Sequence, residues 1–436
     1  MMTRSTRSAA PAVRLMVASA ACAALLLAAC SGSDDAAPTG TATDAASTTA
    51  THSTDAPTTD APTSDAPTTD APTTDAPTTD APTTDAALAA FETIGPGAYD
   101  VGVQTITITD ADRNRPLTVD VWFPIDDATG LPAHQYTLLP GVYYESPTAV
   151  DADSTMVAPG GPFPLVVYSH GSGGLRYLDS NYTEAIASHG YIVAAPDHTG
   201  NTAIERLGNT EDDFDVIALN RPQDIEAVID AMTDPAHPEA GAFAAGVDPE
   251  QIAVTGHSFG GFTAYAMASG YTNALGTFEA DPRVDAIVPL APATGDGSGR
   301  LLSDEDLAAI TVPALVMVGT NDQTAPPTPN VDRPWELSKS EPSYRADFVD
   351  GQHQTFSDFC EYQQSVPLLP NVPPLILDTI NAYAAEGCSP GDMPIDRAHD
   401  LQNTLAVTFL DSVFRGGEMV DPDVVAIPDD LIYAVK

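Results

Sequence analysis

Lysine is almost missing from this 436-residue chain, in which Lys339 and Lys436 are the only two. With arginine the basic residues number 16, against 61 acidic ones, for a formal net charge of −45. That scarcity argues against nucleic acid as a partner, because neutralising phosphates needs clustered Lys and Arg. The acid is not confined to one end. Residues 1–86 hold ten Asp and three Arg, which leaves 51 acidic and 13 basic residues beyond them. A body so acidic stays soluble and repels anionic surfaces. Cysteine is scarce too, with Cys22, Cys30, Cys360 and Cys388 as the full set. No His/Cys/Asp grouping has metal-ligand spacing, and the scattered Asp residues fit no EF-hand loop. No metal and no cofactor are therefore expected. The one long apolar run, Leu15 to Ala29, is short for a bilayer span.

That run follows Arg4, Arg7 and Arg14 and precedes small residues, the order of a signal peptide. It ends Leu27-Ala28-Ala29-Cys30-Ser31, which resembles the lipobox of bacterial lipoproteins, where cleavage precedes the cysteine and its thiol takes lipid. The resemblance implies a signal peptide over 1–29 and lipid attachment at Cys30. The protein would then be an exported cell-envelope lipoprotein anchored to the membrane by that lipid. An ordinary signal peptide cut nearby would give a secreted protein instead.

Residues 30–87 offer almost nothing to a core. From Asp55 to Asp85 the unit Asp-Ala-Pro-Thr-Thr repeats, with Ser64 as the single Thr-to-Ser change. Proline at every fifth position blocks helix and sheet ladders, and no aromatic or long aliphatic side chain offsets the ordering entropy. The segment reads as a disordered stalk; in full polyproline geometry it would reach on the order of 170 Å.

Residues 88–436 read as one domain of alternating strands and helices. Strands are expected over 101–108 and 117–123, joined by the turn Arg113-Asn114-Arg115-Pro116. Buried-type apolar runs follow over 165–168, 191–195, 252–255, 286–290 and 314–318, with a weaker one over 343–349. Helical patterns fall over 181–189, 222–232, 260–269 and 397–414. Apolar strands alternating with helices predict an α/β fold, a mostly parallel sheet covered on both faces. The leading pair predicts an antiparallel edge.

The chemistry centres on Gly256-His257-Ser258-Phe259-Gly260, placed between the strand 252–255 and a helix. This is G-x-S-x-G in the strand–turn–helix context that exposes a nucleophilic serine. The serine needs a base, and the base an orienting acid. In this arrangement both follow in the order acid, then histidine. Only His353 and His399 lie downstream. His353 sits in a loop directly after a strand, whereas His399 falls within the last helix, in a solvated or capping position. Asp322 ends the strand 314–318 at its carboxyl side, where α/β sheets gather catalytic groups. Asp350 is the rival acid, but at three residues from His353 it is better suited to shaping the turn. The oxyanion donors are expected to be the backbone N–H groups of Phe259 and of Ser172, the latter in the loop Ser169-His170-Gly171-Ser172-Gly173-Gly174. That loop lacks the lysine of a P-loop and does not fit G-x-G-x-x-G. His170, which precedes Ser258, is assigned to bracing it.

The stretches 168–174, 187–191, 195–198, 221–224 and 256–261 resemble bacterial α/β-hydrolases of the dienelactone-hydrolase-like kind. They are more distantly similar to plasma-type platelet-activating-factor acetylhydrolases, and more loosely to secreted cutinase-like polyesterases. The resemblance implies an α/β-hydrolase fold and a Ser258–Asp322–His353 triad with donors at Ser172 and Phe259. Dienelactone hydrolases carry a cysteine nucleophile, and Ser258 stands there instead, which favours ordinary ester hydrolysis.

With Cys22 in the leader and Cys30 lipidated, Cys360 and Cys388 remain to form one disulfide outside the cytoplasm. The segment between them, with Leu368, Leu369, Leu375 and Ile376, reads as a small stapled cap beside His353. The expected function is hydrolysis of carboxylic esters, lipid or polymeric, by a monomeric serine enzyme through an acyl-enzyme. The narrower alternatives are a phospholipase-A2-like acetylhydrolase or a polyester hydrolase. A surface-displayed binding protein on a hydrolase fold is the alternative outside enzymes.

Overall fold

Eleven strands hydrogen-bond into one sheet. In chain order they are β1 Asp100–Asp110, β2 Arg115–Ile125, β3 Ala133–Leu139, β4 Val142–Asp151, β5 Phe163–Ser169, β6 Ile192–Pro196, β7 Val247–His257, β8 Ala286–Leu290, β9 Ala314–Gly319, β10 Ser343–Phe348 and β11 Leu431–Val435. This computed structural model describes residues 88–295 and 301–436. The expected signal peptide, Cys30 and the repeat segment lie outside the described residues.

The spatial order is β11-β10-β9-β8-β7-β5-β6-β2-β1-β4-β3. The block from β10 to β6 is parallel throughout. Its strands are apolar on both faces because both are covered. Leu165, Val167, Ile192, Ala194, Ile252 and Val254 face one core, and Val166, Val193, Ala195 and Ala253 face the other. Helices α2 (Phe214–Thr233) and α3 (Phe259–Ser269) fill the first with Ile225, Ile229 and Phe262. Helices α1 (Ser180–Ser188) and α4 (Ile395–Phe414) fill the second with Ile186, Leu405 and Phe409. This is an α/β-hydrolase sheet, mostly parallel and sandwiched between helices, as the strand–helix alternation predicts.

Three expectations are corrected. The leading pair β1–β2 is antiparallel but is not the edge; β4 pairs with β1 in parallel, and β3 lies outside it. The β3–β4 hairpin escapes sequence reading because register shifts at 133–135 and 137–139 break its period of two. Helix α2 starts at Phe214, so Pro222 lies inside it. Its ring removes one helical hydrogen bond, a cost of about 3 kcal/mol, which burial of Ile217, Ala218, Ile225, Val228 and Ile229 outweighs. His399 is neither solvated nor a cap. It is buried, and its Nδ1 lies 3.3 Å from Glu361.

The cap forms from helices Phe359–Ser365 and Pro374–Ala384, whose Phe359, Tyr362, Val366, Ile376 and Ile380 share an apolar cluster with Val142 of the β3–β4 hairpin. Cys360 and Cys388 are joined across a sequence separation of 28, with Cα atoms 5.5 Å apart. Loop closure of that length is worth about 3–4 kcal/mol. Replacing both cysteines by serine is expected to lower the melting temperature by about 5 °C or more. An unchanged melting temperature would mean that the cap's apolar core holds it without the cross-link.

Candidate active site

Strand β7 ends at His257 and α3 begins at Phe259, so the chain reverses in a single residue. Ser258 takes φ 58° and ψ −114°, a conformation that L-residues rarely adopt. The turn closes because glycine stands on both sides. A Cβ at Gly256 would meet the Ser169 carbonyl oxygen at 2.4 Å, and one at Gly260 would meet it at 1.8 Å. The Ser258 N–H donates to the Leu290 carbonyl at 2.9 Å, and its own carbonyl accepts from Ala293 and Gly261.

Two loops at the carboxyl ends of β9 and β10 bring the other groups. The Gly319 Cα packs so tightly on the Gly351 backbone that a Cβ there would lie 2.3 Å from its oxygen. The Asn321 N–H donates to the Gly351 carbonyl at 2.9 Å. So fixed, His353 Nδ1 lies 2.7 Å from Asp322 Oδ2, and its Nε2 lies 2.9 Å from Ser258 Oγ. Asp322 Oδ1 accepts from the Ala325 N–H at 2.7 Å, which orients the carboxylate. His353 and Asp322 are each 3% exposed, while Ser258 is half-buried and reachable. Asp350 is exposed, with φ 59°, and its N–H donates to Thr320 Oγ1; it shapes the turn. The cap presses on the same place. The Gln354 N–H donates to the Glu386 carbonyl at 2.7 Å, and the Thr324 hydroxyl to the Glu386 carboxylate.

Phe259 is the first residue of α3, so no earlier helical turn accepts its N–H. Ser172 lies in the loop after β5, exposed at the surface. Among the described residues no acceptor takes the N–H of either. The loop runs beside Ser258, since a Cβ at Gly171 would sit 3.4 Å from Ser258 Cβ.

Beneath this loop lies a buried polar layer that sequence reading missed. Ser169 Oγ is 2.9 Å from His198 Nε2, and His198 Nδ1 is 3.0 Å from Asp224 Oδ2. Arg115 and Arg113 cover the Asp224 carboxylate at 2.7–2.9 Å. Burial opposes ionisation of Asp224, but the hydrogen bonds from His198 and Arg115 hold it down at about 2. Burial and the nearby Arg221 push His198 down to about 4, so it is neutral. Arg221 itself is 0% exposed. The available signal was a charged pair at 221 and 224, three apart, on the face of a helix that is otherwise apolar.

His257 supports His353 from behind. Its Nε2 lies 2.8 Å from the His353 carbonyl, and the two rings are 4.8 Å apart. Burial first, and His353 second, push its imidazole down to about 3. The unfolded chain therefore binds a proton at His257 below about pH 6.5 that the native chain refuses until about pH 3. Stability from this group is lost as pH falls through that window. His257→Gln, which has no such linkage, is expected to be less stable than wild type at pH 7 and to close the gap by pH 4.5 in urea unfolding. A gap that does not change with pH would show that His257 is not held neutral.

With the geometry in view, the likenesses to known proteins are specific. Residues 110–213 match the family of platelet-activating factor acetylhydrolase, isoform II. Platelet-activating factor acetylhydrolase of Bos taurus is 27% identical over 128 residues, 25% of this chain and 28% of that protein. Chlorophyllase type 0 of Chenopodium album is 28% identical over 140 residues, 31% of this chain and 36% of that protein. The chain thus matches about a third of the length of these relatives. A solved ferulic acid esterase from Streptomyces cinnamoneus superposes with a TM-score of 0.58 at 24% identity, covering 78% of this chain and 98% of that one. These likenesses place the chain in the α/β-hydrolase fold, among proteins named as an acetylhydrolase, a chlorophyllase and an esterase.

Proposed function

We propose that the protein hydrolyses carboxylic esters with Ser258 as nucleophile. The observation that carries this reading is the unbroken hydrogen-bond path from Ser258 Oγ through His353 to Asp322, at 2.9 and 2.7 Å, on a half-buried serine. Ser258 Oγ attacks the ester carbonyl while His353 Nε2 takes its proton. Asp322 holds the Nδ1 proton and stabilises the imidazolium. The N–H groups of Phe259 and Ser172 receive the oxyanion. His353 gives its proton to the leaving alcohol, leaving the acyl group on Ser258. It then takes a proton from water, whose oxygen attacks the acyl carbon, and returns that proton to Ser258 Oγ as the acyl–oxygen bond breaks and the acid leaves. Within ester hydrolysis, the match of residues 110–213 to an acetylhydrolase family favours short acyl groups.

Ser258→Ala is expected to fold normally, to lose on the order of 10⁴–10⁶ in turnover of nitrophenyl acetate, and to lose covalent labelling by a fluorophosphonate. Asp322→Asn is expected to cost around 10⁴, by loss of the correct tautomer, and Asp350→Asn far less. Full turnover by the Ser258 variant would overturn the mechanism, and a dead Asp350 variant beside an active Asp322 one would move the acid. A wild-type chain that binds but never turns over esters would be a binding protein on a hydrolase fold.

We further propose that the chain works outside the cytoplasm, as a monomer tethered by lipid at Cys30 through the 30–87 stalk. Leu27-Ala28-Ala29-Cys30 and the proline-rich repeat support this. Cys30→Ser is expected to move the protein from the membrane to the soluble fraction with unchanged ester turnover in detergent. Retention on the membrane would mean that another element anchors it.

A further inference from the structure

Among the described residues no carboxylate bonds the Arg221 guanidinium; its five N–H groups go to other acceptors. Nη1 donates to the His170 carbonyl at 2.6 Å and to Ser169 Oγ at 3.2 Å. Nη2 donates to the Gly171 carbonyl at 3.0 Å and to Asn201 Oδ1 at 2.7 Å, and Nε donates to the same Asn201 oxygen at 3.1 Å. A fully buried cation that binds two successive main-chain carbonyls fixes two successive peptide planes. In a trans peptide the C=O and N–H point in opposite directions. Pinning the Gly171 oxygen to the guanidinium therefore turns the Ser172 N–H away from it. His170 Nδ1 lies 2.7 Å from that same oxygen and restrains the plane from a second side. The guanidinium also stacks 4.7 Å from the centre of the Phe259 ring, whose backbone carries the other unpaired N–H.

We propose that Arg221 is a positioning residue for the oxyanion hole: one buried guanidinium sets the direction of the Ser172 N–H through the Gly171 peptide and braces Phe259 through its ring. The inference rests on reading Ser258 as the nucleophile. The Ser169–His198–Asp224 layer and Asn201 hold the guanidinium in place, and their own shielded carboxylate lies beyond His198. Burial depresses the Arg221 group to about 9, so the site keeps a poorly solvated positive charge beneath the loop at neutral pH. That charge favours a developing oxyanion over a neutral carbonyl. Lysine supplies the charge but not the planar fork.

The test measures Arg221→Lys and Asn201→Ala in the full chain with nitrophenyl acetate, alongside the affinity for a trifluoromethyl ketone that mimics the tetrahedral oxyanion. Arg221→Lys is expected to lower kcat by about 10²-fold, the scale of one lost oxyanion donor, with KM within about threefold. The ketone affinity should fall by the same factor as kcat/KM. Asn201→Ala, which leaves the guanidinium but frees two of its N–H groups, should move both quantities the same way by about tenfold. Where Arg221→Lys does not fold, Asn201→Ala decides alone. A folded variant with wild-type kcat and wild-type ketone affinity overturns the proposal, as does a kcat loss with ketone affinity unchanged. Wild-type chain without esterase activity, or full activity in Ser258→Ala, overturns the parent reading instead.

Discussion

The carbonyl oxygen of Ser169 occupies the space that any side chain at residue 256 or 260 would need. Around that one contact the rest of the site is arranged. It brings the end of β5 against the start of α3, so the loop carrying Ser172 and the turn carrying Ser258 are neighbours by packing and not by chance. It also keeps Ser258 in a backbone conformation it would not choose alone. The strain is held by hydrogen bonds on both sides, from the Ser258 N–H to Leu290 and to its carbonyl from Ala293. Energy stored in that way persists only where the surroundings over-determine the geometry.

His353 and Asp322 arrive by a different route. Each stands in a loop after a parallel strand, and glycine lets those loops touch, at Gly319 against Gly351. The cap then closes over them through Glu386, which meets both the Gln354 N–H and the Thr324 hydroxyl. The cap is therefore more than a cover. A disulfide-bounded segment, packed by its apolar side chains on the β3–β4 hairpin, rests on the two loops that present His353 and Asp322.

Much of this was legible because the signals are local. The glycines at 256 and 260, the apolar strand before them and the helix after them sit within one stretch of chain, so the motif can be read without knowing that the Ser169 carbonyl packs on it. Asp322 stands out in the sequence because an apolar run stops just before it. What escaped reading depends on partners far away. The β3–β4 hairpin is bulged, so its alternation is lost. The start of α2 was hidden because proline at 222 reads as a beginning, whereas burial on the sheet carries the helix through it. The role of Arg221 needs Asn201, His170 and Gly171 from two other segments, and no spacing rule joins them. The burial of His399 against Glu361 is likewise a contact between the cap and the last helix.

Among the described residues the same three-residue relay occurs twice. Ser169, His198 and Asp224 repeat the atom pairing of Ser258, His353 and Asp322 to within a few tenths of an ångström. A search keyed to interatomic distances alone would return both and could not rank them. The two differ in solvent access and in proton demand. Ser169 is fully enclosed, and its oxygen already accepts from Arg221, so an electrophile has no path to reach it. A catalytic constellation is thus only half described by its internal geometry; the other half is the opening through which a substrate reaches one serine and not its twin.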